Sequence, residues 1–103
     1  MNTNKVLNLI GLAKRANKVN SGEFICKKAI KSHMAKLVII ALDASDNTKK
    51  SIKNSCAFYK VEYIECASME DLGKFTGGGQ KAVISINDIN FANAIKQANK
   101  NSH

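Results

Sequence analysis

The segment Lys18-Val19-Asn20-Ser21-Gly22-Glu23, followed by Lys27 and Lys28, gathers residue types suited to holding a polyanion. Ser21 is a good helix N-cap, and a helix start presents backbone N–H groups with no partner inside the helix. Gly22 removes a side chain beside those groups and lysines flank both sides, which makes a nest for phosphate or a base edge. Glu23 is the odd member. A carboxylate repels an anion, but it can accept hydrogen bonds from guanine N–H groups. The competing structural account of Glu23 is complementarity to the helix dipole with an i,i+4 pair to Lys27.

Gly77-Gly78-Gly79-Gln80-Lys81 is a second candidate. A phosphate loop of the G-x-x-x-x-G-K-[ST] type lies between a strand and a helix. Here the glycines precede a strand and Lys81 is followed by Ala82, so nucleotide hydrolysis is not supported. The run is either a flexible connection or a place where backbone approaches a ligand closely. No catalytic set assembles. The pairs Asp43/Asp46 and Glu70/Asp71 lie at helix starts, where capping accounts for them. His33 and His103 are too few and too isolated for a triad or a metal site. Cys26, Cys56 and Cys66 are odd in number and lack a C-x-x-C. They read as small buried hydrophobes in a reducing compartment. No cofactor and no metal is expected, and a binding module is better supported than an enzyme.

Charge points the same way. The chain has 103 residues, and its 16 basic and 8 acidic groups give a net charge of +8. Residues 1–36 hold eight of the basic groups, Lys5, Lys14, Arg15, Lys18, Lys27, Lys28, Lys31 and Lys36, against the single acid Glu23. Nearly the whole excess therefore lies in the first third, which suggests a polyanion-binding face. The alternative is a lysine-rich composition whose charges are only solvated.

The elements that must position these groups follow from pattern. A first helix runs from the caps Asn2-Thr3-Asn4 to about Ala16, with Val6, Leu9, Ile10, Ala13 and Ala16 on one stripe. Gly11 within it marks a close packing point. After a short strand at Lys18–Asn20, a second helix runs from Ser21 to about Ser32 and buries Ile25, Cys26, Ala29 and Ile30. Leu37–Leu42 is apolar on both alternations, as in a strand buried on both faces. A third helix follows Asp43-Ala44-Ser45-Asp46 to about Tyr59, then a strand at Val61–Cys66. Ser68-x-x-Asp71 opens a fourth helix ending near Phe75. The strand Ala82–Ile86 follows the glycine loop, and Asn87 or Asp88 caps a last helix. Alternation with short connections predicts a three-layer α/β/α sandwich around a small, largely parallel sheet.

The length allows one domain, residues 1–98, with a frayed tail over 99–103. An apolar share of 45% excludes wholesale disorder. The longest apolar run, Leu37–Leu42, is far short of the roughly 20 residues that cross a bilayer. No secretory signal is readable, so the expectation is a cytoplasmic monomer with no membrane association.

The combination Leu9-x-Gly11-Leu12-Ala13-x-Arg15-Ala16-x-Lys18-Val19-x-Ser21-Gly22-Glu23, then Lys36–Ala41, Asp43-Ala44-Ser45, Asn47-Thr48 and Lys50, resembles the YlxQ-type bacterial proteins. These belong to the superfamily of kink-turn-binding large-subunit ribosomal proteins of archaea and eukaryotes. Tyr59-Lys60-Val61, Leu72-Gly73 and Phe91-Ala92-Asn93 extend the likeness over essentially the whole domain. The resemblance implies a sandwich whose four-stranded sheet is mixed, and RNA binding without catalysis. It places RNA contacts at the second-helix start, the turn after the second strand and the loop before the last strand. Kink-turn readers carry Gly-x-Asn-Glu at that helix start, with Lys three residues after the Glu. Here Gly22 stands at the Asn position, Glu23 is retained and Cys26 stands at the Lys position, with Lys27 one residue later.

The function expected is recognition of a structured RNA, kink-turn-like or otherwise non-canonical, with the ribosome or translation factors as further partners. Arg15, Lys18, Lys27, Lys28 and Lys31 would anchor the backbone, and Ser21, Gly22 and Glu23 would read the bent element. Asp43, Ser45 and Gly77, Gly78 and Gly79 would supply the remaining contacts. The alternative is a protein–protein module of the translation apparatus.

Overall fold

A computed structural model describes residues 3–100. In chain order the elements are α1 (Thr3–Arg15), β1 (Val19–Ser21), α2 (Glu23–Lys31), β2 (Leu37–Ile40), α3 (Asp46–Tyr59), β3 (Tyr63–Glu65), α4 (Met69–Thr76), β4 (Val83–Ile86) and α5 (Ile89–Lys100). The strands form one sheet in the order β1-β4-β2-β3. The helices α2 and α3 pack together, and α1 packs against both α4 and α5. This is the expected sandwich. Its middle layer is the sheet, and every residue of the two central strands, β2 and β4, is buried. Both strands are covered on two faces, which is why β2 reads as a continuous apolar run and β4 is interrupted only by Ser85, whose hydroxyl donates to Asn87 Oδ1. Val6, Leu7, Ile10 and Ala13 give α1 its buried stripe; of the expected members, Leu9 is only partly buried and Ala16 is exposed just past the helix end.

The sheet is mixed. β4 runs antiparallel to both β1 and β2, and only β2 and β3 are parallel. The largely parallel arrangement suggested by alternation alone is therefore corrected, and the mixed one implied by the resemblance is found. The reason is local. α4 has only eight residues, and the chain then doubles back, so that the Lys81 N–H donates to the Met69 carbonyl at 3.0 Å. β4 thus begins at the end of the sheet where α4 began, and has to run the other way.

Four smaller expectations are also corrected. Ser21 does not cap α2; it is the last residue of β1, paired with Ile84, and Gly22 stands at the cap. Ile25 is exposed, and α2 buries Cys26, Ala29 and Ile30. Gly11 is not a close packing point, because a Cβ there would sit 3.7 Å from Phe75, an ordinary contact. The last helix continues through Asn99 to Lys100, carrying the buried Ala98. Asn2, His103 and the rest of the expected tail lie outside the described residues.

Candidate nucleic-acid interface

Three connections meet at one end of the sheet. The Gly22 N–H donates to the Val83 carbonyl at 3.1 Å, which ties the α2 start to the beginning of β4. The Ala41 N–H donates to the Ala82 carbonyl (2.9 Å) and the Leu42 N–H to the Ala67 carbonyl (2.8 Å), which tie the turn after β2 to both neighbours. The α2 start, the β2–α3 turn and the glycine loop are therefore adjacent. Of the expected site residues, this end brings together Ser21, Gly22, Glu23, Asp43, Ser45, Gly77, Gly78 and Gly79. Lys27 follows one helical turn inward. Arg15 and Lys18 lie at the far end of β1, where the Asn87 N–H donates to the Lys18 carbonyl after β4 has ended. Lys31 closes α2 at that same far end, and Lys28 stands between.

The α2 start is built around backbone. Gly22 has φ 99° and ψ 146°, a region essentially reserved for glycine, and no side chain caps the helix. Glu23 instead turns toward α3. Its Oε1 accepts from the Thr48 hydroxyl at 3.0 Å, and its Oε2 pairs with Lys27 Nζ at 3.5 Å. Thr48 is itself held, because its N–H donates to the Ser45 hydroxyl. An ionised carboxylate accepts about four hydrogen bonds. Two partners fix this one in place, and its side chain remains 40% exposed. It is an oriented acceptor with capacity to spare.

The turn after β2 is braced rather than open. Asp43 Oδ1 accepts from the Met69 N–H at 2.8 Å, so Asp43 holds the α4 start. Lys49 Nζ donates to the Leu42 carbonyl at 2.7 Å and pairs with Glu65. Glu65 also takes Lys53 at 2.9 Å, and these contacts, the Lys53 hydrogen bond foremost, hold its carboxyl below the usual range.

The glycine loop has a backing. A Cβ on Gly73 would overlap the Gly79 carbonyl, so the loop lies directly on α4 at the one helical position without a side chain. Gly77 and Gly78 have positive φ, whereas Gly79 does not, and open space surrounds the site of a Gly79 Cβ. Of the flexible and close-approach readings of this run, the geometry favours a shaped surface of backbone.

The three cysteines are buried, and burial pushes the Cys26 thiol up to about 12 and the Cys56 thiol to about 11. Cys26 Sγ donates to the Asn20 carbonyl from beneath α2, so no contact can be made from that position. Among the described residues no group of His, Cys, Asp and Glu could hold a metal ion, and no helix is long and apolar enough to cross a membrane.

Sequence reasoning overlooked Phe24. It follows Glu23, is 71% exposed, and has Lys28 Nζ 5.2 Å from its ring centroid. Its signal was available: position 24 lies opposite the stripe formed by Cys26, Ala29 and Ile30, so an aromatic ring there faces solvent. Thr48 was also missed as the holder of Glu23, since nothing local links residues 25 apart.

Residues 4–96 match the ribosomal protein L7Ae/L30e/S12e/Gadd45 family. The chain is 42% identical over 87 residues to a Bacillus subtilis (strain 168) protein named RNA-binding protein YlxQ, covering 84% of this chain and 87% of that one. A protein of the same name from Enterococcus faecium is 40% identical over 96 residues, covering 93% and 92%. Among solved structures, a protein of unknown function from Bacillus halodurans C superposes with a TM-score of 0.88 at 31% identity, covering 91% of this chain and 95% of that one. A 15.5kD RNA binding protein from Giardia lamblia shares the fold, with a TM-score of 0.78 at 23% identity over 94% and 83% of the two chains.

Proposed function

Since the chain belongs to the ribosomal protein L7Ae/L30e/S12e/Gadd45 family, as a member of its YlxQ type, we propose that it is a non-catalytic RNA-binding protein. Its ligand is a structured RNA element, kink-turn-like or otherwise rich in non-canonical pairs, met in the cytoplasm in a ribosomal or translational setting. The observation that carries this reading is the fixed, half-exposed Glu23 carboxylate beside the side-chain-free Gly22.

Non-canonical pairing leaves guanine N–H groups available that Watson–Crick pairing would occupy. An oriented carboxylate accepts them without the entropy cost of being immobilised on binding. Phe24 offers a ring on which an unstacked base can lie, with Lys28 beside it for a phosphate. The Gly78-Gly79 backbone admits a nucleotide where any side chain would keep it off, and Lys81 stands next to it.

Glu23→Gln tests the reading. Glutamine keeps one carbonyl oxygen for the Thr48 hydroxyl and removes the charge, so folding stability should fall by no more than about 0.5–1 kcal/mol. Affinity for a kink-turn-like RNA should fall by about 1–3 kcal/mol, while a control duplex without non-canonical pairs is unaffected. Titration by fluorescence anisotropy measures both. Equal affinity of the two proteins for the structured RNA would return Glu23 to a purely structural role.

A further inference from the structure

We infer that the end of the sheet opposite the three loops is a second nucleic-acid surface, one that takes an unpaired RNA strand. The inference goes beyond the proposed recognition of structured RNA, and it uses none of the residues at the loop end.

Three helices, α1, α2 and α3, finish at this end, and β1 and β2 start there. Hydrogen bonds stitch the pieces into one face. His33 Nε2 lies 3.0 Å from the Tyr59 carbonyl, and Lys36 Nζ donates to the His33 carbonyl at 2.9 Å. The Lys36 N–H donates to the Ile86 carbonyl, and Asn87, just past the end of β4, donates its N–H to the Lys18 carbonyl. The Lys18 N–H in turn donates to the Ala13 carbonyl, close to Arg15. A continuous path therefore runs from the end of α3 to the end of α1.

The chemistry along that path is basic and aromatic. Phe58 is 77% exposed, the most exposed large apolar side chain described, and it packs edge-on against Tyr59 with centroids 4.8 Å apart. Tyr59 meets the His33 ring edge-on in turn. Arg15, Lys18, Lys31, Lys36 and Lys60 lie at this same end of the sheet, Lys36 tied to His33 and Lys60 following Tyr59, and all are exposed. The acids at this end are already engaged: Glu62 pairs with Lys96 at 2.7 Å, and Asp88 accepts from the Phe91 N–H. The other six carboxylates, those of Glu23, Asp43, Asp46, Glu65, Glu70 and Asp71, are at helix starts or a strand end on the loop side. Capping concentrates negative charge there and leaves the basic excess here.

Part of that excess complements the helix C-termini, which favour nearby cations. Dipole complementarity does not require an exposed aromatic ring. A ring beside cations is the arrangement that stacks bases and tracks phosphates on single strands, without reading sequence. A double helix keeps its bases stacked and would leave Phe58 without a partner. The described residues span at most 30 Å along any principal axis, so the site would hold a few nucleotides, at the short end of known single-strand sites.

The test uses the full chain with a fluorescein-labelled oligouridine and, separately, a kink-turn-like RNA. Phe58→Ala should weaken oligouridine binding roughly fivefold or more. Phe58→Tyr should restore it, and unchanged far-UV circular dichroism should exclude misfolding. Arg15→Gln combined with Lys18→Gln should reduce the slope of log K against log[salt] for oligouridine by about 1.4. Oligouridine should still bind when the structured RNA is saturating, and Glu23→Gln should leave its affinity unaltered. Displacement of oligouridine by the structured RNA, or wild-type affinity in Phe58→Ala, would overturn the inference. If the structured RNA fails to bind at all while Phe58→Ala still weakens oligouridine, the loop-end reading fails and this one stands.

Discussion

The starts of α3 and α4 and the start of α2 share one end of the sheet, yet they are finished differently. Ser45 and Ser68 each turn a hydroxyl onto the backbone N–H three residues on, at 3.2 and 3.0 Å. The α2 start has a glycine in a conformation that other residues would find strained, no side-chain cap, and a carboxylate directed toward the neighbouring helix. Relative to a serine cap, a glycine at this position gives up only a few tenths of a kcal/mol, and it leaves the helix start uncovered by any side chain. The difference separates a helix start that only has to be stable from one that leaves polar backbone and a fixed acceptor accessible. The same contrast holds between the braced β2–α3 turn and the glycine loop.

The buried face of α2 can be probed by its thiol. At pH 8 a group titrating near 12 has about a thousandfold less thiolate than one titrating near 9. Cys26 should therefore resist alkylation in the native protein and react on unfolding, as followed by mass spectrometry. The sign for stability follows. The folded thiol keeps its proton while the unfolded one loses it near 9, so stability is full below pH 9 and declines as pH rises toward about 11 and 12. Fast native alkylation of Cys26 would mean that the uncapped α2 start opens on its own, and the comparison would then be between a stable helix and a fraying one.

Gly73→Ala should have the next largest effect. The added methyl meets the Gly79 carbonyl and has Gln80 Cα 3.1 Å away, and neither can give way without moving backbone. Overpacking of this kind costs about 1–3 kcal/mol, readable as a lower urea midpoint, and RNA affinity should fall because the loop is displaced. An unchanged midpoint would show that the loop does not rest on α4.

Gly22→Ala and Ser45→Ala sharpen the contrast directly. The first has open space for its methyl, so its cost of about 2 kcal/mol comes from backbone strain alone, and it should also weaken RNA binding about tenfold. The second should cost about 1 kcal/mol by losing a cap, with a much smaller effect on binding. Similar losses of affinity in both would erase the distinction between the two starts.

Gly79→Ala should have the smallest effect on folding, within about 0.5 kcal/mol, because its φ is ordinary and nothing crowds the position. Gly77 and Gly78 are poorer probes, since alanine would be strained there whatever the loop does. A tenfold loss of RNA affinity in Gly79→Ala marks backbone contact with the ligand, and wild-type affinity makes the loop a spacer.

Local chemistry by itself determined a good deal. The runs at Leu37–Ile40 and Val83–Ile86, the serines at 45 and 68 and the period of α1 specify strands, caps and a helix through contacts spanning a few residues. Such contacts are written in adjacent letters, and the motif likeness added the mixed sheet. The tertiary structure decided what depended on distant partners. Ser21 is a good cap by type, but pairing with Ile84 drew it into β1. Gly73 matters because of Gly79, Glu23 because of Thr48, and Asp43 because of Met69. Charge divided in the same way. The basic excess of the first third is plain in the sequence, yet β1 and α2 each span the sheet from end to end. Lys18 is therefore parted from Gly22 by the length of a strand and Lys31 by the length of a helix, while Lys27 stays paired to Glu23, and much of the basic face anticipated around Glu23 assembles at the other end of the sheet.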